Sequence, residues 1–332
     1  MKDFDLNLVA KIDFCTLPTP IIPMKRLSKH LGKSKIFIKR DDLTGIAFGG
    51  NKNRKLEYLL ADAIDKKANV IITEGAVTSN HCLQTAACSC HMGLECILVL
   101  SDSYIGDELN GNFLLDHILD VDIRRVKSSE DRKAMMNLVA EELKQQGKTP
   151  YIIPTGGSNI IGILGYINFI KEIAKQSEQM NIRFDYLIHA TGSAGTQAGC
   201  IVGKKLYYPN IEIIGINVGD SKKEIIQATQ QIIKEFEQKN SIKLNIDVSD
   251  IIVMDEYFGE GYGIPSKELI ETLKLVAKLE GIFLDPVYNG KAMIGLIDLI
   301  KKNHFKENSN ILFLHSGGGP AIFSYKRYFN KK

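Results

Sequence analysis

Phe48-Gly49-Gly50-Asn51-Lys52-Asn53-Arg54-Lys55-Leu56-Glu57-Tyr58-Leu59-Leu60 opens with two glycines and runs straight into an apolar stripe. Leu56, Leu59, Leu60, Ala63 and Ile64 recur at the spacing of an amphipathic helix with one face turned inward. The glycines let backbone approach whatever lies before that helix, whose N-terminus attracts anions. Lys52 falls in the first turn, at the positive end of the dipole. That end disfavours the ammonium form, so a neutral, nucleophilic amine is easier to reach. Lys52 is therefore the first candidate catalytic residue. A solvated surface lysine is the competing reading, and the rest of the chain must separate the two.

The bulk properties mainly exclude. A chain of 332 residues can form one large or two medium domains, and 44% hydrophobic with 24% charged residues is ordinary globular composition. A formal charge of +3, with no long basic block, argues against nucleic acid or an acidic membrane surface as partner. Met1-Lys2-Asp3-Phe4-Asp5 does not read as a leader, and apolar runs such as 311–314 are far too short to span a bilayer. A cytoplasmic protein is the expectation. Cys15, Cys82, Cys88, Cys90, Cys96 and Cys200 form no disulfide framework. Cys88, Cys90 and His91 point to different sides of a helix and cannot easily share a metal, so the cysteines read as small buried side chains.

Residues 1–35 carry Pro18, Pro20 and Pro23 and read as irregular, apart from a short helix over 27–31 stopped at Gly32. From 36–40 onward strands and helices alternate. Strands are expected at 70–73, 96–100, 122–126, 151–154, 186–190, 211–218, 251–254 and 311–314. Helices are expected at 80–91, 111–119, 133–146, 162–176, 222–239, 266–279 and 291–302, with another ending at 206. Continuous apolar strands alternating with helices imply parallel sheets covered on both faces. Two α/β units sharing one cleft are the simplest arrangement.

Ligands of open parallel sheets sit beyond the carboxyl ends of the strands. Four loops there stand out, the Lys52 loop being the first. Thr78-Ser79-Asn80-His81 opens a helix with cap residues, and serves equally as an ordinary cap or an anion site. Thr191-Gly192-Ser193-Ala194-Gly195-Thr196 is a small-residue turn at a helix start, a phosphate cradle without the lysine of a P-loop or the full dinucleotide fingerprint. Leu314-His315-Ser316-Gly317-Gly318-Gly319-Pro320 lets backbone approach a flat ring, with Ser316 supplying a neutral hydroxyl for a pyridine nitrogen. Tyr262 and Tyr288, each in a turn bounded by Gly or Pro, can donate to a substrate or simply pack. Together the loops point to pyridoxal 5'-phosphate bound through Lys52.

In this order the segments resemble the D-cysteine desulfhydrase and 1-aminocyclopropane-1-carboxylate deaminase family of pyridoxal-phosphate enzymes. The segments are 38–43, 49–58, Ser79-Asn80-His81, 154–165, 191–199, 261–265, 285–290 and 315–320. The resemblance implies a tryptophan synthase β-like fold (fold type II): two open, twisted parallel-sheet α/β domains with a cleft between them. Residues 1–50 and 163–332 would form the larger, cofactor-binding domain and 51–162 the smaller. It also implies a small amino-acid substrate and a homodimer. By position, Lys52 matches the Schiff-base lysine, Lys55 the lysine that neutralises the cofactor phosphate, and Asn80 the residue facing the ring oxygen. Gly192, Ser193, Ala194, Gly195 and Thr196 match the phosphate loop. Asn289, Ser316 and Gly317 lie by the pyridine, while Ser79, Asn80, His81, Gly157, Tyr262 and Tyr288 surround the substrate.

Two positions bear on the reaction. The deaminases carry a glutamate and a leucine where this chain has Asn289 and Ser316. A carboxylate beside the pyridine strengthens the electron sink, which helps to open a cyclopropane lacking a leaving group. The neutral pair suffices when thiolate leaves from Cβ, which favours D-cysteine elimination over cyclopropane opening. Thr78 and Leu83 replace residues usual in the family, a glutamine and an arginine, and cysteate sulfo-lyases look similar. A non-enzymatic anion- or nucleotide-binding protein is the rival of a different class.

Overall fold

The computed structural model describes residues 4–32, 34–103, 108–219 and 221–329. The leaderless reading of Met1 to Asp3 lies outside them. In chain order the elements are β1 (Ile21–Pro23), α1 (Lys25–Leu31), β2 (Lys35–Arg40), α2 (Asn51–Asp65), β3 (Val70–Ala76), α3 (Asn80–His91) and β4 (Glu95–Ser101). Then come α4 (Gly111–Ile118), β5 (Asp122–Val126), α5 (Asp131–Gln145), β6 (Pro150–Ile152), α6 (Leu164–Met180), β7 (Tyr186–Thr191) and α7 (Gly195–Tyr207). The chain closes with β8 (Glu212–Asn217), α8 (Lys222–Asn240), β9 (Ile252–Met254), α9 (Lys267–Glu280), α10 (Asn289–Lys301), β10 (Asn310–His315) and α11 (Ala321–Ser324).

The strands form two sheets, ordered β1-β2-β10-β7-β8-β9 and β5-β4-β3-β6. Each is covered on both faces, as its apolar strands require. In β10, Leu312 and Leu314 pack toward α6 and α7, while Ile311 and Phe313 pack toward α9 and α10. In the smaller sheet, Ile71 and Leu98 meet α2 and α3, while Val70, Ile72 and Val99 meet α5.

Two expectations need correction. Residues 21–23 are not irregular but form β1, paired antiparallel with β2, so the larger sheet is not wholly parallel. Proline is tolerated there because an edge strand need not donate on its outer side. Cys90 is exposed rather than buried, since the polar side of α3 turns it outward. Among the described residues no helix is long and apolar enough to cross a membrane.

A buried ionic cluster anchors α2. The Arg54 guanidinium donates to both carboxyl oxygens of Asp41 at 2.8 and 2.9 Å and to Glu172 at 2.9 and 3.0 Å. Lys39 also pairs with Glu172, and Tyr166 donates its hydroxyl to Asp41 at 2.8 Å. The cluster fastens α2 to the end of β2 and to α6, and Lys52 lies two residues before Arg54.

Candidate active site

The cleft between the sheets holds a cavity of about 720 Å³. Lys52, Ser79, Asn80, His81, Tyr262, Tyr288 and Ser316 line it, as do Gly192, Ser193, Ala194 and Thr196 of the small-residue turn. The four loops chosen from sequence therefore meet in one space.

Gly50, at φ 144°, precedes the first residue of α2. It pairs with Gly317, and Asn51 N–H donates to the Ser316 carbonyl at 2.9 Å. A Cβ on Gly317 would stand 2.6 Å from the Gly50 Cα. These glycines thus serve the contact between two loops, a use that reading them as a floor for a ring did not anticipate. Lys52 is half-buried, and its Nζ donates to Asn51 Oδ1 at 3.0 Å. Burial lowers its ammonium to a pKa of about 8, against the opposing pull of Asp285. One turn on, the buried Lys55 donates to the Gly156 carbonyl at 2.9 Å. Burial, then the Lys52 charge, hold its pKa well below that of a free lysine.

Ser79 caps α3, its Oγ accepting from Cys82 N–H at 3.2 Å. Asn112 donates to Asn80 Oδ1 at 2.7 Å and to the Thr78 carbonyl at 2.8 Å, which fixes the loop. Thr73 gives its hydroxyl proton to the Ile153 carbonyl at 2.9 Å, so it accepts from His81 Nε2 at 2.8 Å. Burial, with the Lys52 and Lys55 charges, lowers the His81 pKa well below its usual value and keeps the ring neutral.

In the small-residue turn Ala194 adopts a left-handed conformation at the start of α7. A Cβ on Gly195 would lie 2.6 Å from Ser158 Oγ and 2.9 Å from Lys55 Nζ, so Lys55 sits beneath the turn without lining the cavity. Gly195 N–H donates to Ser158 Oγ at 3.2 Å, and Ser158 donates to Ser193 Oγ at 2.9 Å. The Thr191 hydroxyl, buried at the cavity wall, has no hydrogen-bond partner among the described residues. A helix N-terminus, a buried lysine and an unsatisfied hydroxyl around a space no side chain fills suit a phosphate.

Tyr262 and Tyr288 share a hydrogen bond between their hydroxyls, with ring centroids 5.8 Å apart and nearly perpendicular. Asn289 is buried and does not line the cavity. Its amide nitrogen donates to Asp285 at 2.6 Å and to the Gly317 carbonyl at 2.8 Å, and its oxygen accepts from Ser316. Gly157 turns toward Leu59 and Lys55 rather than the cavity.

Sequence reading missed three residues. Asp285, buried, accepts from the backbone N–H groups of Val287, Tyr288 and Asn289 at 2.7–2.9 Å and acts on Lys52. An acid just ahead of a helix was a usable signal. Thr191 opens the turn already read as a phosphate cradle but was not singled out for its hydroxyl, and Ser158 gave no signal beyond closing the 155–158 turn.

A family model described as pyridoxal-phosphate dependent enzyme matches residues 12–317. The chain belongs to this family. Its cofactor is pyridoxal phosphate, and the cavity's donors fit that group. Among solved structures, an ACC deaminase homologue is 40% identical, with a TM-score of 0.90 over 97% of this chain and 96% of its own. A hydrogen sulfide-producing enzyme of Fusobacterium nucleatum is 17% identical, with a TM-score of 0.66 over 97% of this chain and all (100%) of its own. An O-ureido-L-serine synthase is 15% identical, with a TM-score of 0.65 over 95% of this chain and 94% of its own. The last two share the fold, which is the tryptophan synthase β-like arrangement of fold type II.

Proposed function

We propose that this pyridoxal-phosphate-dependent chain is a lyase converting D-cysteine and water into pyruvate, ammonia and hydrogen sulfide. The observation that carries the reading is the neutral Ser316–Asn289 pair: the Ser316 hydroxyl lines the cavity and donates to the Asn289 amide oxygen at 3.1 Å. A neutral partner leaves the cofactor a moderate electron sink, enough when thiolate leaves from Cβ.

When bound, the cofactor supplies an aldehyde for amine capture and a ring that accepts the electrons of the Cα–H bond. Lys52 would hold it covalently, Lys55, Thr191 and residues 192–196 would hold its phosphate, and Asn80 would meet its ring oxygen. Ser79 and Asn80 take the substrate carboxylate beside the α3 N-terminus. Once the substrate amine displaces it, the freed Lys52 amine would accept the Cα proton. For a D-substrate presenting that proton to the other face, Tyr288 or Ser79 takes this role. Tyr262 orients the substrate and donates toward the departing sulfur. His81, neutral and tied to Thr73, lines the substrate side without adding charge.

The test is product release from D-cysteine, L-cysteine, D-serine, cysteate and 1-aminocyclopropane-1-carboxylate, with sulfide, sulfite and 2-oxobutyrate measured side by side. Sulfide and pyruvate from D-cysteine support the proposal, and their absence overturns it. The 40% identity to an ACC deaminase homologue favours cyclopropane opening as the second reading, revealed by 2-oxobutyrate. Sulfite from cysteate would mark a sulfo-lyase. A homodimer, and domains of 1–50 with 163–332 and of 51–162, belong to the same proposal, and light scattering tests the first.

A further inference from the structure

Tyr262 lies in a turn between two glycines with positive φ, Gly261 at 151° and Gly263 at 72°. Such a turn has little stiffness of its own. Yet the peptide carbonyls on either side of the tyrosine are both gripped by buried side chains. Lys291, on the first turn of α10, sends its Nζ to the Gly261 carbonyl at 2.6 Å and to the Val218 carbonyl at 3.1 Å. Tyr325, just past α11, donates its hydroxyl to the Gly263 carbonyl at 2.7 Å. Each side chain is only 1% exposed. A third contact completes the seat: a Cβ on Gly219 would stand 2.5 Å from the Tyr262 nitrogen.

A buried ammonium is costly unless its protons are satisfied. Lys291 meets that demand with two carbonyls from two separate segments, the end of β8 and the Tyr262 turn. Its own helix begins one residue after Tyr288, so one lysine links the turn carrying Tyr262 to the helix start carrying Tyr288. Asp285, packed at that helix start, supplies the facing negative charge. Burial lifts the Tyr325 pKa far above its ordinary value, so the phenol keeps the proton it donates.

We propose that Lys291 and Tyr325 are positioning residues that hold the Tyr262 hydroxyl against Tyr288 and toward the reacting substrate. The inference rests on reading Tyr262 as a substrate-facing group, and it adds the two residues that set its place. A displacement of about 1 Å in a reacting group can cost on the order of a hundredfold in rate.

The first arm of the test needs no turnover. In the holoenzyme, Lys291→Met should raise amide exchange in residues 259–265 by about tenfold while α2 and α7 keep their protection. Unchanged exchange there overturns the proposal. The second arm uses whichever of the five amino acids the wild type converts fastest. Lys291→Met should lower kcat by about tenfold or more with KM within about threefold, and in a Tyr262→Phe background the further loss should be under about twofold. Losses that simply multiply would show a generally structural role and overturn it. Tyr325→Phe, which removes one hydroxyl and keeps the ring, must show the same dependence on Tyr262 and serves as the deciding variant if Lys291→Met does not fold. A wild type inert on all five amino acids would refute the lyase assignment and leave the exchange arm to decide this one.

Discussion

The side-chain oxygen of Asn289 accepts both the backbone N–H of Ser316, at 2.9 Å, and its hydroxyl, at 3.1 Å. The nitrogen of the same amide donates to Asp285 and to the Gly317 carbonyl. Asn289→Ala should therefore leave several buried groups unpaired and cost about 2–3 kcal/mol, read by urea unfolding. Ser316→Ala removes one hydroxyl at the cavity surface and should cost less than about 1 kcal/mol while shifting the absorbance of the bound cofactor.

Lys52→Ala should abolish covalent capture. Borohydride treatment of the loaded wild type should add the cofactor's mass to the peptide containing residue 52, and the variant should stay unlabelled. Turnover should fall by about a thousandfold or more.

Capture by the free enzyme should depend on pH with a definite sign. Only neutral Lys52 attacks an aldehyde, and its ammonium form has a pKa of about 8. The rate of absorbance change on mixing with pyridoxal phosphate should climb about tenfold per pH unit below that value and level off above it. A midpoint near the ordinary lysine value of 10.5 would contradict the burial assigned to this amine.

Arg54→Met should leave buried Asp41 without its cation and Glu172 with Lys39 alone, and cost about 3–5 kcal/mol near neutral pH. Burial alone would raise the Glu172 pKa, but the Arg54 and Lys39 charges outweigh it and bring the value down to about 2. The stability from this depressed carboxyl is full above its unfolded value, 4.5, and is lost as pH falls toward about 2. The gap between wild type and variant should accordingly narrow in acid, as unfolding at two pH values will show.

Ser158→Ala should free the Gly195 amide and loosen the tie between the 155–158 turn and the small-residue turn. Cofactor affinity should change by about three- to tenfold, measured by equilibrium titration, with KM for the amino acid little altered.

Much of the molecule was legible because its signals are local. The helix at 80–91 and the strand at 122–126 appear at the residues that capping and alternation indicate. The glycine turns mark the cavity because each follows a strand of an open sheet. What stayed hidden depends on distant partners. Strand β1 is a strand only because β2 offers it an edge, while Pro23 by itself speaks against one. Asn289 reads as a ring neighbour by sequence position, yet the first turn of α10 points its amide inward to Asp285 and the last loop. Lys291 looks like any helix lysine until the fold brings two unrelated carbonyls to its tip.

The Gly50–Gly317 pairing joins points 267 residues apart along the chain, and β2 waits for β10 in the same way. A nascent polypeptide leaving the ribosome thus presents Lys52 long before the opposite wall of its chamber has been synthesised. The smaller sheet can assemble early, whereas a competent pocket must await the segment around residues 310–317. Premature termination before position 310 should yield a protein that retains helices and fails to colour with the coenzyme.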